Sequence, residues 1–400
     1  MLRNLSELFL AATLLVYVVP YIIWKVLKTD NFIPLPIIQI LSGLLLGPAV
    51  LGKLNPEFFN YIFTKDNINV LSGVAWLGII FFLWSAGVHL DIKSAFKNKK
   101  DTFTTASLAL TGPLVFGSIF AYVIYDRGPW AGEQAATWQF VLAIGMGMAV
   151  TALPILIVLM EKLGIFNGPI GKRVLGYASL DDIFIWIVLG IIIMDWDRSL
   201  RQLIFLPIFA LASYGLNVLV NILKNKQDIW YLTLVWTIAV ALAADWSGLH
   251  YIVGGFMAGA VMKKDWFEEQ QLENFKSTVL VLMMPIYFLL TGLRTSWELS
   301  GVTVLILAFA LFAVQFAGKT AGVFVASKVL GWPKGEWKLM GTLLQTKALI
   351  EIIFATILMD KGIITSEMFT ALLLMAVMST MVTIPIAKKL LKTTPLIIKS

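Results

Sequence analysis

The sequence predicts an all-α polytopic membrane protein with about 13 transmembrane helices, folded as an inverted repeat with two broken crossing helices. Three observations carry this. The 400 residues are 59% hydrophobic and 14% charged, with a mean hydropathy of +0.85, whereas soluble domains are about 45–50% apolar and about 25% charged. Apolar runs of about 20 residues, long enough to span a bilayer, recur along the chain. The basic residues alternate between successive connections as membrane topology demands.

Composition also excludes functions. The chain has no cysteine, so disulfides, thiol chemistry and thiolate metal sites are ruled out. Its two histidines, His89 and His250, are too few for a histidine metal centre. The net charge of +7 is spread over connections between apolar runs, which fits loop charges and not a nucleic-acid surface. No cofactor is implied. The first apolar run, about Leu8 to Leu27, is long enough to span, contains Pro20 and lacks a small-x-small cleavage site after it. It therefore reads as the first span and not as a removed leader.

Thirteen spans are expected, at 7–27, 33–51, 68–88, 103–125, 136–160, 173–195, 200–223, 229–246, 250–263, 276–294, 301–329, 338–360 and 366–388. The fifth contains two glycines and Pro154, the sixth an Asp-Asp pair, the eleventh a central lysine and the twelfth a polar run. The ninth is short and glycine-rich, with Gly254, Gly255 and Gly259. The connections are short and polar, and no cytosolic regulatory domain is expected after the last span. With the N-terminus outside, 21 of the 31 basic residues fall in cytoplasmic connections and eight on the outer side. Lys93, Lys97, Lys172, Arg173 and Lys224 are among the first group, and Arg3 and Arg198 among the second. That bias favours an outer N-terminus and a cytoplasmic C-terminus. Trp130, Trp138, Trp196 and Trp337 fit an aromatic belt at the span ends. Six spans, a linker span and six more give two halves of opposite orientation, the layout of an inverted-repeat transporter. Spans 4, 5 and 6 then correspond to spans 11, 12 and 13.

Five ionisable residues lie well inside spans: Asp181, Asp182, Lys319, Lys347 and Glu351. A charge at the bilayer centre costs several kcal/mol or more, so each is a functional candidate. Asp181 and Asp182 come roughly 12–14 Å into the sixth span at 1.5 Å per residue. Adjacent helical residues point about 100° apart, so the two carboxylates can hold different roles. A buried lysine keeps its charge beside a carboxylate, and Lys319 is paired here with Asp181. In the fifth span, Gly145 to Pro154 includes Thr151 and reads as a kink or as a break exposing carbonyl oxygens. Gly341 to Glu351 is the matching polar run of the twelfth span. Lys347 and Glu351, four apart, can pair and neutralise half-helix dipoles, so they and Pro154 read as support for the crossing. Ser179 shares a face with Asp182 and is either an extra oxygen ligand or a serine packed between helices. His250, at an outer span end, is a pH-sensing or a hydrogen-bonded interfacial histidine. Oxygen ligands around a carboxylate that holds either a hard cation or a proton point to exchange of one for the other.

At these residues the chain resembles a family. Val150-Thr151-Ala152-Leu153-Pro154-Ile155-Leu156 is similar to the helix-5 break of the cation:proton antiporter-2 group of monovalent cation:proton antiporters, and Ser179-Leu180-Asp181-Asp182 to its ion site. Pro285-Ile286-Tyr287-Phe288 through Gly292-Leu293-Arg294-Thr295 and Lys347-Ala348-Leu349-Ile350-Glu351 match further stretches, followed by Met368-Phe369-Thr370. Lys347 and Ala348 stand where that family usually has arginine and glycine. The resemblance implies a sodium/proton antiporter fold within one transmembrane transporter domain over 1–400. It implies a dimer domain at about 1–90 and 229–296, a core domain at about 100–196 and 300–390, and a linker helix at 200–223. It further implies a homodimer in the inner cell membrane, a monovalent cation (Na+, K+ or Li+) and protons bound at Asp182 with Asp181, Thr151 and Ser179, an Asp181–Lys319 salt bridge, and electrogenic exchange serving pH homeostasis. The competing transporter reading is ion-coupled movement of a small organic solute. An intramembrane aspartyl protease needs aspartates on separate helices, and a prenyltransferase needs a longer aspartate-rich motif, so no enzyme is expected.

Overall fold

A computed structural model describes residues 4–26, 28, 35–48, 50–89, 99–166, 168–194, 199–223, 225–295, 301–347 and 349–393. Of the residues singled out above, Arg3, Lys93, Lys97, Trp196, Arg198, Lys224 and Ala348 lie outside them. In chain order the main helices are α1 (Leu5–Val26), α2 (Leu35–Leu46), α3 (Lys65–Val88), α4 (Lys99–Ile124), α5 (Thr137–Ala149), α6 (Leu153–Lys162), α7 (Pro169–Ile192), α8 (Ser199–Ile222), α9 (Lys226–Trp246), α10 (Tyr251–Ala260), α11 (Glu269–Thr278), α12 (Met284–Leu293), α13 (Gly301–Leu330), α14 (Glu336–Leu343), α15 (Leu349–Asp360) and α16 (Ser366–Thr393). The described residues contain no strand, only one isolated antiparallel bridge between Ala131 and Ile364.

Among the described residues, ten helices are long and apolar enough to cross a membrane, and the chain is an all-α polytopic membrane protein. The expected count of 13 is not reached by that measure. The expected spans at 136–160 and 338–360 are each interrupted, as α5/α6 and α14/α15, and that at 250–263 is the ten-residue α10. A five-residue π-helical turn, Val279–Met283, joins α11 to α12.

The chain divides into two compact units. The first comprises Met1–Ile23, Gln39–Leu90 and Ile193–Arg294, and the second Trp24–Ile38, Asp91–Ile192 and Thr295–Ser400. In the first unit, the glycines of α10 serve close packing. A Cβ on Gly255 would lie 2.9 Å from the Ile80 carbonyl oxygen, and one on Gly259 would lie 3.0 Å from Trp84 Cα, so α10 rests directly on the α3 backbone. Trp84, Trp230, Phe267 and Phe275 fill the neighbouring core, with ring centroids 5.1–5.9 Å apart. His250 is the N-cap of α10 and its Nδ1 accepts from the Ile252 N–H at 3.3 Å.

His89 closes the C-terminus of α3. Its Nδ1 lies 2.7 Å from the Ser85 carbonyl and its Nε2 lies 2.8 Å from Glu273 on α11. Burial holds its imidazole below the ordinary histidine range, with Lys276 and Lys264 acting in the same sense and the Ser85 carbonyl and Glu273 against. The unfolded chain therefore binds this proton more readily than the folded one, and the His89 contribution to stability falls as pH drops below about 6.5.

In the second unit, α4 and α13 cross on glycines. A Cβ on Gly318 would lie 2.7 Å from Pro113 Cα, and one on Gly322 would lie 3.2 Å from Ala109 Cα. Small residues four apart let the two backbones meet, and this closeness carries Lys319, beside Gly318, into the middle of the unit. Trp130 is buried at 5% exposure and so packs inward instead of joining a belt.

Gly318→Leu should lower stability in detergent by at least about 2 kcal/mol, as overpacking does, read as a drop in the thermal midpoint. His89→Gln should flatten the stability profile of the purified protein below about pH 6.5, measured by thermal unfolding at a series of pH values.

Candidate functional site

The second unit repeats one order twice: a long helix, a broken helix and a long helix. These are α4, α5/α6 and α7, then α13, α14/α15 and α16. The first break, 150–152, has a local cause. Pro154 has no N–H and is tolerated in the first turn of a helix, and it is the second residue of α6. Val150 ahead of it is extended, with φ −67° and ψ 147°. The second break, at 344–347, contains no proline and is held by side chains from other helices.

The two breaks bind each other. The Ala152 N–H donates to the Thr346 carbonyl at 2.9 Å. The Thr151 hydroxyl donates to the Leu344 carbonyl at 3.0 Å and also lies beside the Asp181 carboxylate. The carbonyls ending α5 are the negative end of a half-helix and lack intrahelical partners. Two ammonium groups meet them. Lys347 Nζ donates to Gly147, Met148 and Val150 at 2.9, 3.0 and 2.9 Å. Lys319 Nζ donates to Ala149 at 2.5 Å and to Asp181 Oδ2 at 3.1 Å. The carbonyls that the sequence offered to a cation are thus covered by lysines.

Asp181, Asp182, Lys319, Lys347 and Glu351 are all at or below 3% exposure. Lys347 Nζ is 3.4 Å from Glu351 Oε2, but the pair spans the start of α15 instead of lying along one helix face, because Lys347 belongs to the unwound stretch. Among the described residues, Asp181 Oδ1 and Asp182 Oδ1 have no hydrogen-bond partner, and neither do the two Glu351 oxygens. Buried polar atoms are nearly always partnered, and each exception calls for an explanation. Two carboxylate oxygens facing no donor beside an occupied ion pair are suited to a proton or a hard, oxygen-seeking cation. Ser179 donates to the Leu175 carbonyl at 2.9 Å, which leaves only its lone pairs for a ligand. No group of three or more His, Cys, Asp or Glu able to hold a metal ion occurs among the described residues.

Sequence reasoning missed two groups. One is the neutral polar set around the second break. Gln345 Nε2 donates to the Phe316 carbonyl at 3.2 Å and to the Thr320 hydroxyl at 3.3 Å, and Gln315 Nε2 donates to Gln345 Oε1. Ser379 and Thr380 on α16 complete it. Amides and hydroxyls inside apolar spans were the available signal. The other is centred on Arg173, which was counted as a loop charge. It lies in the first turns of α7, pairs with Asp101 on α4 at 3.1 Å and with Glu336 on α14, and has its guanidinium 4.6 Å from the Trp332 ring. Trp332 Nε1 in turn donates to Asp101 Oδ1 at 3.1 Å.

Buried charges at the crossing of two broken helices are the layout found in secondary transporters. The chain matches the family described as sodium/hydrogen exchanger, transmembrane, over residues 11–390, and it belongs to that family. It is 28% identical over 386 residues to Cation/H(+) antiporter 20 of Arabidopsis thaliana, covering 88% of this chain and 45% of that protein. It is 29% identical over 373 residues to Na(+)/H(+) antiporter NhaS4 of Synechocystis, covering 88% and 90%. It is 27% identical over 382 residues to K(+)/H(+) antiporter 1 of Saccharomyces cerevisiae, covering 89% and 43%. The chain thus spans less than half the length of the plant and yeast relatives.

Lys319→Met should destabilise the protein by about 3–5 kcal/mol, because it strands the Asp181 carboxylate. Adding Asp181→Asn should recover most of that loss, and a double-mutant cycle in thermal unfolding measures the coupling.

Proposed function

We propose that the protein is a secondary active transporter that exchanges a monovalent cation for protons by alternating access. The observation that carries this reading is the buried Asp182 carboxyl, with an unpartnered oxygen, beside the Asp181–Lys319 pair at the helix crossing. In this reading Asp182 holds either the cation or a proton. Thr151 and Ser179 add oxygen ligands, and Asp181 keeps Lys319 charged. Lys347, Glu351 and Pro154 hold the crossing open. The two states of Asp182 exclude each other, so loading from one side and release on the other couples the two fluxes.

The Asp-Asp pair with its lysine supports electrogenic exchange, since a lysine that releases its proton when Asp181 is engaged adds a second proton to the cycle. The names of the relatives, which include Na(+)/H(+) and K(+)/H(+) antiporters, support Na+ or K+ as the cation. We further read the protein as a homodimer in the inner cell membrane, with the N-terminus outside and the C-terminus in the cytoplasm. In it, spans 1–3 and 8–10 form the dimer domain and spans 4–6 and 11–13 the ion-carrying core. No enzymatic activity is proposed.

The test is proton movement in proteoliposomes. A pH dye should report dissipation of a preset gradient on adding Na+, K+ or Li+, and Asp182→Asn should abolish it. Wild-type protein that is folded and inserted yet answers none of the three cations would sink the reading.

A further inference from the structure

Ser379 and Thr380 lie mid-way along α16 at 1% and 0% exposure. Asp181 and Asp182 lie mid-way along α7, the helix in the same place in the other half of the second unit. Three of these four residues meet the break of their own half. Asp181 meets Thr151, whereas Ser379 Oγ donates to the Gln345 carbonyl at 2.7 Å. Thr380 Oγ1 donates to the Lys347 carbonyl at 2.9 Å and accepts from the Lys347 N–H at 3.1 Å. Where the first half has two carboxylates, the second has two hydroxyls.

The consequence is visible at the carbonyls of the second break, all four of which accept a hydrogen bond. Leu344 accepts from Thr151, Gln345 from Ser379, Thr346 from the Ala152 N–H and Lys347 from Thr380. Ser379 Oγ also lies 3.4 Å from Gln315 Oε1, which ties it to the buried glutamine pair. The backbone oxygens of the second break are therefore turned toward protein donors, and among the described residues the unpartnered carboxylate oxygens lie on Asp181, Asp182 and Glu351. Thr380 grips both backbone groups of Lys347, and the ammonium of the same residue covers three carbonyls at the end of α5.

We propose that Ser379 and Thr380 are positioning residues, the charge-free counterparts of Asp181 and Asp182, which lock the second break and through Lys347 set the geometry of the first. The functional half of this proposal rests on the exchange reading. Removing the Thr380 hydroxyl strands a buried N–H and C=O on Lys347, releases that backbone and lets its ammonium leave the α5 carbonyls. The cation site then loses its fixed shape, while Asp182 and its chemistry stay intact.

Two measurements on the full chain test this. Amide hydrogen exchange over residues 344–351 reads the lock without reference to transport. Exchange kinetics in proteoliposomes, with the cation to which the wild type responds, read its effect. Thr380→Val should speed amide exchange there and raise the apparent KM for the cation about tenfold, the size of one net buried hydrogen bond, with the maximal rate within about threefold of wild type. Thr380→Ser should restore both. Ser379→Ala, which removes a single donor, should show the same pattern more weakly and serves if Thr380→Val does not fold. Unchanged amide exchange in folded Thr380→Val overturns the lock. A lower maximal rate with unchanged KM, or equal damage from Thr380→Ser and Thr380→Val, overturns the positioning role. If the wild type exchanges no cation for protons, the exchange reading fails and takes the functional half with it, and the amide exchange alone decides the lock.

Discussion

Two ammonium groups at the end of α5 organise the second unit. A helix that stops inside a membrane protein leaves carbonyls that neither water nor the helix itself can satisfy. Lys347 covers three of them and Lys319 a fourth. The same lysines must themselves be neutralised, which brings Glu351 to within 3.4 Å of one and Asp181 to within 3.1 Å of the other. A requirement of the backbone thus places four charged side chains in one small volume. Asp182 stands next to that set and is not consumed by it. In the proposed exchange, its freedom from the structural ion pairs is what makes it available to an ion or proton.

The unit looks repetitive in element order and is asymmetric in chemistry. The first break precedes Pro154 and has the Asp181 carboxylate beside its Thr151. The second has no proline and is imposed by Gln315, Gln345, Ser379 and Thr380, all buried and neutral. A charged site built on both breaks would bring together more desolvated carboxylates than two lysines can offset. Hydroxyls and amides satisfy the second break at far lower electrostatic cost. Close helix contact makes this possible. Gly318 and Gly322 let α13 touch α4, so a lysine on one helix reaches a carbonyl on another.

The transmembrane character was legible in the sequence because it rests on composition and run length, which need no tertiary information. So were the five buried charges, since an ionisable residue well inside an apolar span has few other readings. The fifth-span break was legible through Pro154. The span count was less so, because hydropathy sees the apolar run of 136–160 or 338–360 and not the interruption within it. Arg173 was misjudged for a related reason. Proximity to a loop in sequence does not reveal that Asp101 and Glu336 arrive from distant helices to pair with it.

By itself, then, the sequence determined that the chain is an all-α membrane protein and which side chains are too polar to be buried without purpose. It also marked the fifth span, through Pro154, as one that kinks or breaks, because proline chemistry is local. Tertiary structure alone decided what those side chains touch. Lys347 reaches carbonyls some two hundred residues away in the chain, and Thr380 holds the backbone of Lys347 from another helix. Such contacts follow from how closely helices cross, which depends on small residues meeting at one point in space. Neither hydropathy nor periodicity records that meeting, since each describes one helix at a time.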